Sequence, residues 1–165
     1  MALNTCCIWR LGMFFALGAG ASVALATEHA TFDQVRETAV GLSVVSKDVR
    51  AICKAALAIQ TESHGNDREY QAATDLHHEC DMTVDVVAAS RTLLYIYGSL
   101  TCASDRDKVA NIVREEFDGY REELNPVIDL ANETAAYAHT PATALNASKL
   151  TDAIRRLQQL LMFSP

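Results

Sequence analysis

His77, His78, Glu79, Cys80 and Asp81 follow one another in the chain and between them carry every side-chain type that commonly binds zinc. Their spacing removes most of that promise. In a helix, neighbours project about 100° apart, so His77 and His78 diverge, and ligands that converge on one ion stand three or four positions apart. Asp75 with His78, or His77 with Asp81, meets the spacing, but each pair supplies only two ligands. The run reads as a solvated polar helix face, with no metal and no cofactor expected. His64 and His139 are a second pair, which a bundle would bring to one end near Glu62 and Asp67. Both also suit ordinary loop and helix-end positions, where the dipole favours an imidazole.

Redox chemistry rests on Cys53, Cys80 and Cys102, since Cys6 and Cys7 fall in an N-terminal leader. If two helices fold back near residue 66, Cys53 lies 13 residues before the turn and Cys80 lies 14 after it, at nearly the same height. Cys80 and Cys102 stand about 33 Å apart on one continuous helix at roughly 1.5 Å per residue, far beyond the 7 Å or so that a bridge can span. A disulfide between Cys53 and Cys80 is therefore expected. Cys102 remains free or pairs between chains in a homodimer.

No CxxCH haem site, Gly-rich phosphate loop, GxSxG elbow or HExxH helix is present. Glu115 with Glu116, and Glu122 with Glu123, are helix neighbours that read as solvated surface. Tyr95, Tyr97 and Tyr120 read as aromatics at the edge of a core. Asn132-Glu133-Thr134 and Asn146-Ala147-Ser148 match the glycosylation pattern, which matters only in a eukaryotic secretory pathway. No catalytic residue is assigned, and the chain reads as a non-enzyme.

These residues need elements to hold them, and the elements start after a leader. Met1 to Arg10 carries one positive charge, Leu11 to Ala26 carries none, and Ala24-Leu25-Ala26 offers small residues for cleavage ahead of polar Thr27, Glu28 and His29. The apolar run of 16 residues, interrupted by Gly12, Gly18 and Gly20, is short of the roughly 20 a membrane span needs. A signal peptide over 1–26 is expected, with a single domain over 27–165 and no stable membrane insertion after cleavage.

The chain holds 14 Lys and Arg against 21 Asp and Glu, a net charge of −7 that becomes −8 once Arg10 is removed. That balance repels phosphate backbones and anionic lipid, and no run of Lys or Arg offsets it, so nucleic acid and membrane surfaces are poor partners.

Few turn residues remain beyond the leader: Gly41, Gly65, Gly98 and Gly119, with Pro126, Pro141 and Pro165. Long elements follow from that scarcity. Val35, Leu42, Val45, Val49, Ile52, Ala56 and Ile59 form a heptad-like stripe over Thr31 to Ser63, as in a coiled coil. A second helix over Asp67 to Ser99, capped by Asn66 or Asp67, carries Ala73, Leu76, Cys80, Val84, Val87, Leu94 and Tyr97. Asp75, Glu79 and Arg91 are among its polar positions.

Ser104 and Asp105 are expected to cap a third helix with Val109, Ile112, Val113, Phe117, Tyr120, Leu124, Val127 and Ile128 inside. Pro126 should kink or break it near Asn125, with the period resuming through Leu130 and Ala131. Thr140 with Pro141 starts a shorter fourth helix through Leu145, Leu150, Ala153, Ile154, Leu157, Leu160 and Leu161. Four such stripes bury one another most economically in an all-α, up-down four-helix bundle of long antiparallel helices. The expected function is a non-enzymatic interaction module for an unidentified protein partner, in a periplasm or outside the cell. A small-ligand or metal-binding bundle is the alternative.

Overall fold

The computed structural model describes residues 30–165; the signal peptide expected over 1–26 lies outside the described residues. The chain is all-α: α1 spans Phe32–Glu62, α2 Asp67–Ser99, α3 Ala103–Tyr137 and α4 Pro141–Leu160, with no strand among the described residues. No helix among them is long and apolar enough to cross a membrane.

Three helices start as their sequences dictate. Thr31 and Gln34 form a reciprocal capping box, in which Thr31 Oγ1 accepts from the Gln34 amide at 3.2 Å and Gln34 Oε1 accepts from the Thr31 amide at 2.7 Å. Asn66 Oδ1 accepts from the Glu69 amide at 3.2 Å, and Thr140 Oγ1 accepts from the Thr143 amide at 3.3 Å, with Pro141 in the first turn of α4. Gly65, at φ +98°, makes the turn between α1 and α2 that a side chain would strain.

The third start departs from the expected Ser104 or Asp105 cap. α3 begins at Ala103 with Cys102 as its cap residue and no side-chain capping bond. Ala103, Ser104 and Asp105 are exposed, so water can reach the free amides there. Arg106 holds the connection instead: its Nη2 donates to the Leu100 carbonyl at 3.0 Å and its guanidinium lies 5.6 Å from the Tyr97 ring centroid.

Pro126 does not break α3, which runs on to Tyr137. Glu122, whose carbonyl loses its donor to the proline, lies on the exposed face, where water can replace the bond. Across the same turn Gln158 Nε2 donates to the Arg121 carbonyl at 3.1 Å and to Asn125 Oδ1 at 2.9 Å, tying the turn to α4.

Neighbouring helices run antiparallel. Gln60 meets Thr74 between α1 and α2, Thr134 meets Glu79 between α2 and α3, Thr151 meets Asn132 between α3 and α4, and Arg156 meets Asp48 between α4 and α1. α2 and α4 also touch across the diagonal. Gly41 gives the Leu160 side chain of α4 room to pack onto α1, because a Cβ there would stand 2.6 Å from Leu160 Cδ2. The bundle core is built from Leu42, Val49, Leu76, Val87, Leu94, Phe117, Leu124, Leu150, Ile154 and Leu157, one stripe per helix.

The period misplaces a few side chains. Ile112, Leu130 and Leu145 are exposed. Glu79, expected on the polar face, is only 2% exposed, as is Glu69. Both are three or four residues from Ala72, Leu76 or Thr83 on the inner face of α2, so helical geometry places them inward whatever their charge.

Candidate functional site

The upper half of the α1–α2 hairpin leaves a groove of about 410 Å3 open to solvent. Val35 and Leu94 are core residues that reach its floor, while Ala39, Ser43, Gly98 and Ser99 are too small to fill it. Phe32 and Tyr95, 73% and 77% exposed, stand at its rim with Arg36 and Arg91, and no acid lines it. Its α1 wall continues into a second hollow of about 370 Å3 through Val40, Val44 and Lys47, sharing Arg36, Ala39 and Ser43.

The sequence shows no run of basic residues, yet the fold creates a basic face. Arg36, Lys47, Arg50 and Lys54 are separated by eleven, three and four positions, which superimposes them on one exposed side of α1. Arg91 adds to it from α2. None of these five cations has an ion-pair partner among the described residues, although the whole chain is acidic. Of the acids of α1, Asp48 is engaged away from this face, pairing with Arg156 of α4 at 2.9 Å.

The histidine run divides as the helix requires. His77 Nδ1 lies 3.5 Å from Asp81 Oδ2, one turn on, whereas His78 is exposed and Glu79 and Cys80 enter the core. No group of three His, Cys, Asp or Glu residues converges on a point among the described residues. His64 and His139 are exposed, and His139 contributes only its backbone amide to Glu69.

Glu69 and Glu79 instead organise a buried polar layer that sequence inspection missed. Glu69, in the first turn of α2, reaches the start of α4. Its Oε2 accepts from the amides of His139 and Thr140 at 2.9 and 3.0 Å, and its Oε1 accepts from the Thr140 hydroxyl at 2.6 Å and from the Thr143 hydroxyl. Burial pulls its pKa up, but these donors outweigh burial and hold it below the ordinary carboxylate value. Ten residues on, Glu79 Oε1 accepts from the Thr134 hydroxyl at 2.9 Å while Oε2 has no partner. Burial first, with Asp75 and Glu133 adding repulsion against the Thr134 bond, raises its pKa to about 7. Tyr137 closes the layer by donating to Asp75 Oδ2 at 2.5 Å, and burial and that bond push the phenol up to about 12. The signal for Glu69 was its place three residues after the Asn66 cap, and for Glu79 its place midway between Leu76 and Thr83.

Cys53 and Cys80 are brought together as two thiols sharing a hydrogen bond, without a bridge, while Cys102 sits apart at the start of α3 with its Sγ 3.3 Å from Ser104 Oγ. The bond from Cys80 stabilises a Cys53 thiolate and lowers its pKa against the opposing effect of burial. The same contact and burial push the Cys80 thiol up. Half-buried Cys53 is thus the thiol of the pair that ionises more readily, and buried Cys80 keeps its proton.

Tyr95 is an exposed rim residue, Tyr97 belongs to the core and Tyr120 is half-buried; Glu115, Glu116, Glu122 and Glu123 are exposed. Of the two glycosylation patterns, Thr134 is buried against Glu79, and Asn132 accepts from the Thr151 hydroxyl at 3.2 Å. Compared with family models, with curated proteins and with solved structures, the chain matches none.

Proposed function

We propose that this protein is an exported, non-enzymatic interaction module whose binding face is the α1–α2 groove. The observation that carries the reading is the pairing of exposed Phe32 and Tyr95 with Arg36 and Arg91 around a floor of small residues. Exposed aromatics and arginines are the side chains that contribute most to interfaces. A photo-crosslinking residue at Tyr95, introduced in the native host, should capture one defined protein. The adduct should disappear when Arg91→Glu is added, and the same probe at Glu115 on α3 should not form it. Absence of any Tyr95 adduct sinks this reading. A small apolar anion is the alternative occupant, and it would leave the crosslinker without a protein product.

Export through the signal peptide places the domain in an oxidising compartment, periplasmic or extracellular, where the thiol pair becomes a disulfide. The Cys53 thiolate attacks a disulfide of an oxidised donor, expelling one donor thiolate. Cys80, once deprotonated, attacks the Cys53 sulfur of the mixed disulfide and expels the second donor sulfur. The intact mass of exported, unreduced protein should therefore correspond to a chain that starts at Thr27 and lacks two hydrogen atoms. Closing a loop of 27 residues should add about 3 kcal/mol of stability. Cys53→Ala and Cys80→Ala should lower the melting point by similar amounts, with little further loss in the double mutant. Peptide mapping that links Cys53 to Cys102 would refute this pairing.

A further inference from the structure

The groove and the basic face of α1 form one continuous surface, and we infer that it accepts an acidic amphipathic helix of the partner protein. The inference rests on the groove being the binding face. From Phe32 to Lys47 the strip extends about 22 Å, at 1.5 Å per residue, the length of a helix of about four turns. Ala39, Ser43 and Gly98 open a channel between the ridges of α1 and α2, and a third helix can lay a ridge of Leu, Ile or Phe side chains into it. Val40, Val44 and Tyr95 then cover the flanks of that ridge.

Charge selects which helix fits. Arg36 lies between the two hollows, Arg91 borders the first and Lys47 ends the second. Acidic residues on either side of the incoming apolar ridge meet all three, and basic residues there meet repulsion with no acid in the lining to offset it.

A second copy docking through the same strip is disfavoured by the same charges. Two α1 helices crossing antiparallel near residues 41 and 42 would set Arg36 of each against Lys47 of the other. A flat anionic membrane would meet the cations but would leave the concave floor unfilled.

The test uses a fluorescent synthetic peptide of about 16 residues, helical by composition, with leucines at a spacing of three and four and glutamates beside them. Its counterpart carries lysine for each glutamate. Fluorescence anisotropy with the mature protein should show the glutamate peptide binding about tenfold or more tightly than the lysine peptide, with affinity falling as salt rises. In the Arg36→Glu/Arg91→Glu protein the preference should invert. Both substitutions are on exposed residues, and an unchanged melting curve will show that the fold is intact.

Equal affinity for the two peptides, or binding of neither, overturns the inference. So does self-association in sedimentation that Arg91→Glu abolishes, or binding to phosphatidylglycerol vesicles in place of the glutamate peptide. Failure here stays distinct from failure of the groove itself: a Tyr95 adduct with a partner that presents no acidic helix keeps the groove as the binding face and removes only this occupant.

Discussion

Glu69→Ala should destabilise the bundle by about 3 to 4 kcal/mol, a loss as large as that of truncating a buried leucine. The truncation leaves the His139 and Thr140 amides and the Thr140 and Thr143 hydroxyls without their common acceptor. It also removes a negative charge lying between the N-termini of α2 and α4, where both dipoles favour it. In thermal unfolding the loss should appear as a fall of about 10 °C or more. Glu69→Gln should be intermediate, because one amide oxygen can still accept from the backbone while the threonine hydroxyls turn to accept from its nitrogen.

The pH dependence has a definite sign. The folded pKa lies below the unfolded value of about 4.3, so the contribution of Glu69 is complete above that pH and is lost as the pH falls through the folded pKa. A loss below about 1 kcal/mol for Glu69→Ala would show that water replaces the carboxylate without difficulty.

Glu79 should act in the opposite direction and in a different pH range. Its carboxyl is held neutral up to about pH 7 in the fold, but ionises near 4.3 in the unfolded chain. Below the lower value both states are protonated and the group contributes nothing. Between the two values the unfolded chain binds fewer protons, so stability declines with rising pH and levels off above about 7. The decline should total about 3.7 kcal/mol over the whole range.

Glu79→Gln retains an acceptor for Thr134 and abolishes the titration. It carries a fixed cost at every pH from burying an amide nitrogen where Oε2 now has no partner. Denaturant unfolding of both proteins at pH 5 and pH 8 isolates the effect. Relative to the parent, the glutamine variant should gain about 2.5 kcal/mol between the two pH values, whatever their offset at pH 5. The neighbours that face Glu79 are Asp75, Glu133, Thr134 and Tyr137, and none of the acids among them should reverse that sign. Parallel stability profiles would mean that the carboxyl is solvated and ionised in the fold.

Helix number, helix length and three of the four starts were legible in the sequence because each depends on neighbours within a turn. Thr31 with Gln34, Asn66 with Glu69 and Thr140 with Pro141 are local contacts, and the apolar period follows from 3.6 residues per turn. The same locality placed Cys53 beside Cys80, since a hairpin turning near residue 66 sets their heights without reference to α3 or α4.

What polarity suggested and periodicity denied was settled by the tertiary structure. Glu69 and Glu79 are acidic, and an acid is ordinarily read as surface, but the hydroxyls that donate to them belong to Thr140, Thr143 and Thr134, some 55 to 74 residues away. No local pattern can announce such partners. The start of α3 moved to Cys102 and Pro126 was accommodated, because the amides of the first turn and the Glu122 carbonyl lie on exposed faces that water can reach, while Gln158 ties the proline turn to α4. The groove is likewise a property of two helices together: Ala39 and Gly98 are unremarkable apart, and only the antiparallel packing of α1 on α2 sets their small side chains at the floor between Arg36 and Arg91.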